Sequence, residues 1–182
     1  MRTIKAIEAD TIPGVKGYWR YKQSDRHRTV TVPYIADYYP TKSVAIPYAY
    51  LITAPDKEVL ETLKKHGIVV EKLTKTESLE VKSFSIESLT AEKRLNQGHY
   101  TNTVKGDFKK EVKEFPVGTI VIKTSQKLGN LAAYLLEPQS DDGLLLWNFF
   151  DKYLVPQWGE GYYPYPVYKL LKKSEISSIP IN

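Results

Sequence analysis

The chain has 182 residues and no cysteine, and its 26 Lys and Arg against 21 Asp and Glu give a formal net charge of +5. That length fits one ordinary domain with a short extension, and it can bury a core without a metal or disulfide staple. The missing cysteines exclude thiolate zinc sites, iron–sulfur clusters, disulfide frameworks and cysteine nucleophiles.

The positive excess is scattered. Residues 1–50 hold eight basic and four acidic side chains, whereas residues 131–160 hold five acidic ones against Lys152 alone. Lysine pairs at 64–65, 109–110 and 172–173 do not make the dense stripe that nucleic acid requires, so no nucleic-acid partner is expected. Lys5, Glu8 and Asp10 interrupt the apolar run that a secretory leader would need. No stretch approaches ~18 apolar residues, so no membrane insertion is expected.

Residues 1–25 read as a lead-in or linker, broken by Pro13, Gly14 and Gly17, and residues 26–182 as a single domain. From His27 to Pro40 the pattern is β-rich, with prolines that confine strands to edges. Tyr48-Ala49-Tyr50-Leu51-Ile52 has the run of a buried strand. Thr53-Ala54-Pro55-Asp56 then opens a helix, Val59, Leu60 and Leu63 line one face of it, and Gly67 follows its end. Ile68–Leu73 returns to strand. Residues 47–73 therefore predict a small βαβ unit whose two strands run parallel.

Residues 78–123 read as all β. The apolar phase shifts from Leu79 and Val81 to Phe84 and Ile86, which predicts a bulge near Lys82-Ser83. Tyr100–Phe115 predicts a hairpin turning near Lys105-Gly106-Asp107. Pro116-Val117-Gly118 is a turn, and Thr119–Ile122 a strand buried on both faces. Leu128, Leu131, Ala132, Leu135 and Leu136 then adopt helical spacing, which Pro138 ends. Ser140 predicts a second helix through Leu154, with Asp141 and Asp142 in its first turn. This helical pair, about 126–154, should pack on the sheet through Leu131, Leu135, Phe149 and Phe150. Val167–Leu170 closes the chain as a strand. The fold class is α+β, a strand-rich mixed sheet.

No constellation specifies a reaction. His27, His66 and His99 lie in no zinc-binding pair, and no phosphate loop or serine elbow occurs. No catalytic residue and no metal ligand is expected. Asp141-Asp142 point about 100° apart on a helix and read as its N-terminal turn rather than an acid–base pair. The aromatic content, 12% with 14 Tyr and 3 Trp, is the main lead. Tyr18 and Trp19 form one candidate binding cluster, and Trp158, Tyr162, Tyr163 and Tyr165 another, either as platforms for a peptide or glycan or as a tail packed onto its own domain.

Several segments resemble a known family. Pro47–Ile52 with Leu63–Leu73 is similar to a run beyond the catalytic domain in bacterial zinc carboxypeptidases of the carboxypeptidase A-like class. The stretch Leu128-Gly129-Asn130-Leu131-Ala132-Ala133-Tyr134-Leu135-Leu136-Glu137-Pro138-Gln139-Ser140-Asp141-Asp142-Gly143-Leu144-Leu145-Leu146-Trp147-Asn148-Phe149-Phe150-Asp151 resembles their C-terminal signature, and Pro166-Val167-Tyr168-Lys169 their closing strand. That class binds zinc through H-x-x-E and a distant His. Here Val30, Val69 and Asn102 stand three residues after the histidines, so no ligand carries over. The resemblance implies a non-catalytic C-terminal accessory domain. Its partner would be a catalytic peptidase domain, in cis or trans, and zinc would belong to that domain only. It also implies a secreted or periplasmic location. The alternative is a stand-alone carbohydrate- or peptide-binding module.

Overall fold

The computed structural model describes residues 2–40 and 43–181, apart from the Tyr18 side chain. The chain divides into two compact units, Met1–Ser43 and Val44–Asn182. In the first, β1 (Arg2–Thr11) pairs antiparallel with β2 (Tyr21–Val32), joined through a 3-10 turn at Tyr18–Arg20. The register slips at Glu8, and Arg26 reaches back to Glu8 (3.0 Å) and Asp10 (2.5 Å). A boundary after residue 25 would cut β2. Residues 2–25 supply β1 and the first residues of β2.

The second unit is one seven-stranded antiparallel sheet in the order β6-β5-β8-β3-β7-β4-β9. Its strands are β3 (Ala49–Ile52), β4 (Glu71–Leu73), β5 (Glu77–Ala91), β6 (Asn102–Phe115), β7 (Ile120–Lys123), β8 (Val167–Leu170) and β9 (Ser178–Pro180). Helix α1 (Lys57–Lys65) joins β3 to β4, and α2 (Gly129–Leu136) lies between β7 and β8. The class is α+β, as the sequence predicts. β3 and β4 do run parallel, since both are antiparallel to β7, but β7 lies between them. The βαβ unit is therefore split, in a β-α-β-β-α-β frame with the β5–β6 hairpin inserted. Among the described residues, no helix is long and apolar enough to cross a membrane.

Alternation along the strands makes two cores. Tyr50, Ile52, Ile120 and Ile122 face one way and pack with Val59 and Leu63 of α1 and Ala132, Leu135 and Leu136 of α2. Ala49, Leu51, Val121, Tyr168 and Leu170 face the other way. Asp56 caps α1, its carboxylate accepting from Glu58 N at 2.8 Å. At the other end Gly67, with φ +79°, closes a Schellman motif: Ile68 N donates to Leu63 O and Gly67 N to Lys64 O.

Three local expectations are corrected. First, no bulge falls at Lys82-Ser83, where the register with Lys110 and Lys109 is continuous. The apolar phase changes because β5 switches cores, with Leu79 and Val81 in the second and Phe84 in the first. The bulge comes at Glu87, between Ile86 and Ser88, and it keeps Leu89 on the first core's side.

Second, Lys105-Gly106-Asp107 is not a turn but the middle of β6, opposite that bulge. Gly106 stands where a Cβ would lie 2.0 Å from Ser85 O, so here glycine serves close backbone approach. The hairpin turns at Asn96–His99, where Gln97 (φ 49°) and Gly98 (φ 87°) give the paired positive angles of a type I′ turn.

Third, the second helix of the expected pair is a chain of turns, with a 3-10 turn at Asp151–Tyr153. Asn148 takes φ +70° and ends the first turn as Gly67 ends α1: Phe149 N donates to Leu144 O and Asn148 N to Leu145 O. Leu145, Phe150 and Leu154 still reach the first core.

Candidate functional site

The segment after α2 lies against the turn end of the β5–β6 hairpin. Asn102 N donates to Leu146 O at 2.9 Å, which ties the two segments together. Asn148 then links three groups. Its Nδ2 donates to Tyr100 O (3.0 Å) and Asp151 Oδ2 (3.1 Å), and its Oδ1 lies 3.2 Å from His99 Nδ1. Both partners of the amide nitrogen are pure acceptors. The amide oxygen therefore faces His99, and Nδ1 carries the imidazole proton.

Asp151 also accepts from Asn102 Nδ2 at 2.8 Å. Burial holds its carboxyl above the ordinary aspartate range, and the two amides oppose that shift. Trp147 is half-buried, and its indole N–H donates to Asp142 Oδ1 at 2.5 Å. The imidazole of His99 packs edge-on with the indole, ring centres 5.6 Å apart and planes at 87°. Gln97, His99, Trp147 and Phe149 together line a shallow cleft of about 220 Å³. The Tyr134 hydroxyl donates to Asp141 Oδ1 at 2.6 Å, and that bond pushes the phenol up to about 12.

A second polar cluster is sealed in the core. Lys169 Nζ lies 2.6 Å from Glu137 Oε1, and Tyr50 donates its hydroxyl to the same oxygen at 2.6 Å. Burial pushes the Lys169 ammonium down and the Tyr50 phenol up. A third cluster is partly open. Asp56 accepts from Lys152 and from the Tyr153 hydroxyl (3.0 Å), and its carboxyl is lowered to about 2, chiefly by the Lys152 hydrogen bond. Among the described residues, no three His, Asp or Glu side chains form a metal-binding group.

The predicted binding residues scatter. The Tyr18 side chain lies outside the described residues. Trp19 is exposed in the first unit, and Trp158 and Tyr163 are exposed in the second, with Tyr162 at the margin of exposure. Tyr165 is a correction. It is wholly buried, its hydroxyl donates to Leu136 O at 3.1 Å, and its ring packs edge-on with Phe150 5.1 Å away. A core position that offers the phenol O–H an acceptor explains this tyrosine. The residues that do converge, His99 and Trp147, are not marked by sequence as a pair. The signals in the sequence are the Asn96-Gln97-Gly98 turn residues before His99, and a Trp-Asn step inside a leucine-rich run.

No family model matches the chain, and no solved structure matches it. Carboxypeptidase 2 of Trichophyton rubrum is 29% identical over 121 residues, which is 64% of this chain and 22% of that protein. Carboxypeptidase 2 of Trichophyton tonsurans is 30% identical over 96 residues, or 53% of this chain and 18% of that protein. The protein of the same name from Trichophyton equinum has the same identity and coverage. These relatives are fungal, where bacterial ones were expected. The chain thus spans about a fifth of the length of the curated carboxypeptidases to which it is similar.

Proposed function

We propose that this chain is a non-catalytic accessory domain of a carboxypeptidase-type protein. It packs on a catalytic peptidase domain, in cis or in trans, or helps that domain hold a peptide or cell-wall substrate. Any zinc belongs to the catalytic domain. The observation that carries this reading is partial similarity: about a fifth of each relative matches a chain in which no histidine stands in H-x-x-E. The self-contained split βαβ frame of residues 44–182 also supports it.

The test has two arms. The purified chain, supplied with one equivalent of zinc, is assayed for release of the C-terminal residue from a blocked dipeptide. It is also mixed with a carboxypeptidase catalytic domain and passed over a sizing column. No release and co-elution are expected. Zinc-dependent release by this chain alone overturns the reading.

The Trp158 ring, 85% exposed, favours a second reading, a stand-alone module for carbohydrate or peptide. A glycan and peptide array probed with the chain and with Trp158→Ala and Trp19→Ala separates the two. Array binding that these changes abolish, together with no co-elution, favours the module.

A further inference from the structure

We infer that the cleft between the β5–β6 turn and Trp147 binds the cationic side chain of a basic peptide, an arginine guanidinium stacked on the indole. The inference is independent of the carboxypeptidase reading. It starts from what the four lining residues offer. Two of them, Trp147 and Phe149, are aromatic, and Gln97 is an uncharged amide. The amide oxygen of Asn148 accepts from Nδ1 of His99 and fixes the ring. An aromatic lining whose indole N–H is held by a carboxylate is complementary to a flat cation.

Three carboxylates hold the cleft's residues and their neighbours. Asp142 holds the indole N–H, Asp141 the Tyr134 hydroxyl, and Asp151 the amides of Asn148 and Asn102. All of these partners are neutral. An acceptor carboxylate on the indole N–H also pushes electron density toward the ring, which strengthens its attraction for a cation above the face. A guanidinium fits better than an ammonium here, because it is planar, weakly hydrated and carries several N–H donors in one plane. The volume, about 220 Å³, is below the roughly 300–1,000 Å³ of pockets that enclose drug-sized ligands. It takes one side chain and not an extended ligand.

The geometry is preset. Asp142 fixes the indole, Asn148 fixes the imidazole, and the Schellman turn fixes Asn148.

The experiment titrates the full chain with acetyl-Gly-Arg-Gly-amide by heteronuclear NMR, following the indole N–H signals. The same peptide with citrulline in place of arginine serves as an uncharged isostere, and N-acetylglucosamine as the glycan probe. Saturable shifts of the Trp147 indole with the arginine peptide are expected. The citrulline peptide and the sugar should leave that signal unmoved. Asp142→Asn keeps an acceptor for the indole but removes the charge, and should weaken binding roughly threefold to tenfold. Trp147→Leu should abolish it. If that variant does not fold, Asp142→Asn, at an exposed position, decides. Equal binding of the citrulline peptide, binding of the sugar at Trp147, no shift with the arginine peptide, or undiminished affinity in Asp142→Asn each overturns the proposal.

Discussion

Lys169 and Glu137 form an ion pair inside the core, 2.6 Å apart, with side chains 6% and 8% exposed. Glu137 follows α2 directly, where the helix dipole disfavours negative charge. Lys169 offsets that charge from β8, and the ring of Phe108 lies 4.0 Å from its ammonium. Lys169→Met should therefore cost about 3–5 kcal/mol in urea denaturation, because it strands a buried carboxylate. Replacing both residues by apolar ones of similar size should recover much of that loss. A double replacement no better than Lys169→Met would show that the packing, not the stranded charge, sets the cost.

Gly106 is the second test. Any side chain there meets the Ser85 carbonyl opposite the β5 bulge. Gly106→Ala should destabilise by about 1–3 kcal/mol, as overpacking does. A change within 0.5 kcal/mol, on the order of an ordinary surface substitution, would place the bulge elsewhere.

Asn148 combines backbone and side-chain roles, and two variants separate them. Asn148→Gly keeps the left-handed turn but loses the bonds to His99, Tyr100 and Asp151. Asn148→Ala loses both. The alanine variant should be less stable than the glycine one by about 1 kcal/mol, the usual cost of the left-handed region for a residue with a Cβ. Thermal melts of the pair measure this directly.

Asp56 predicts an acid limb. Its folded pKa, lowered to about 2, lies below the ordinary aspartate value of about 3.9. The stabilisation is thus complete above pH about 4 and fades as pH falls toward 2. Lys152 is largely in water, so screening keeps the contribution small and makes it salt-dependent. Asp56→Asn should flatten stability over this window while keeping the helix cap. An unchanged acid limb would assign it to other carboxylates.

Much of the frame was legible because it rests on local signals. The run 48–52, the cap and Gly67 around α1, the leucine spacing of α2 and the strand at 167–170 all depend on near neighbours. Three features depend on partners far along the chain. The phase change in β5 marks a strand that serves two cores, which periodicity alone cannot distinguish from a bulge. Gly106 looks like a turn until Ser85 is placed against it. The leucines after Ser140 have helical spacing, but Asn148 takes a left-handed conformation that its bonds to residues 99, 100 and 151 support. The candidate cleft was hidden for the same reason, since His99 and Trp147 are 48 positions apart. Tyr165 was misplaced because a buried phenol with an acceptor and an exposed one have the same local sequence.

The position of β7 constrains the order of folding. Residues 120–123 must enter between two strands that precede them in the chain, 49–52 and 71–73, and the whole β5–β6 hairpin is made in between. The centre of the sheet cannot zip up outward from neighbouring segments. That inserted strand closes a loop of some fifty residues on one side, which makes assembly slow and all-or-none. A ribosome-bound chain ending before residue 120 would expose both edges of 49–52, and the second is covered only once 167–170 are made, so synthesis through that last strand is the step that protects this domain from aggregation.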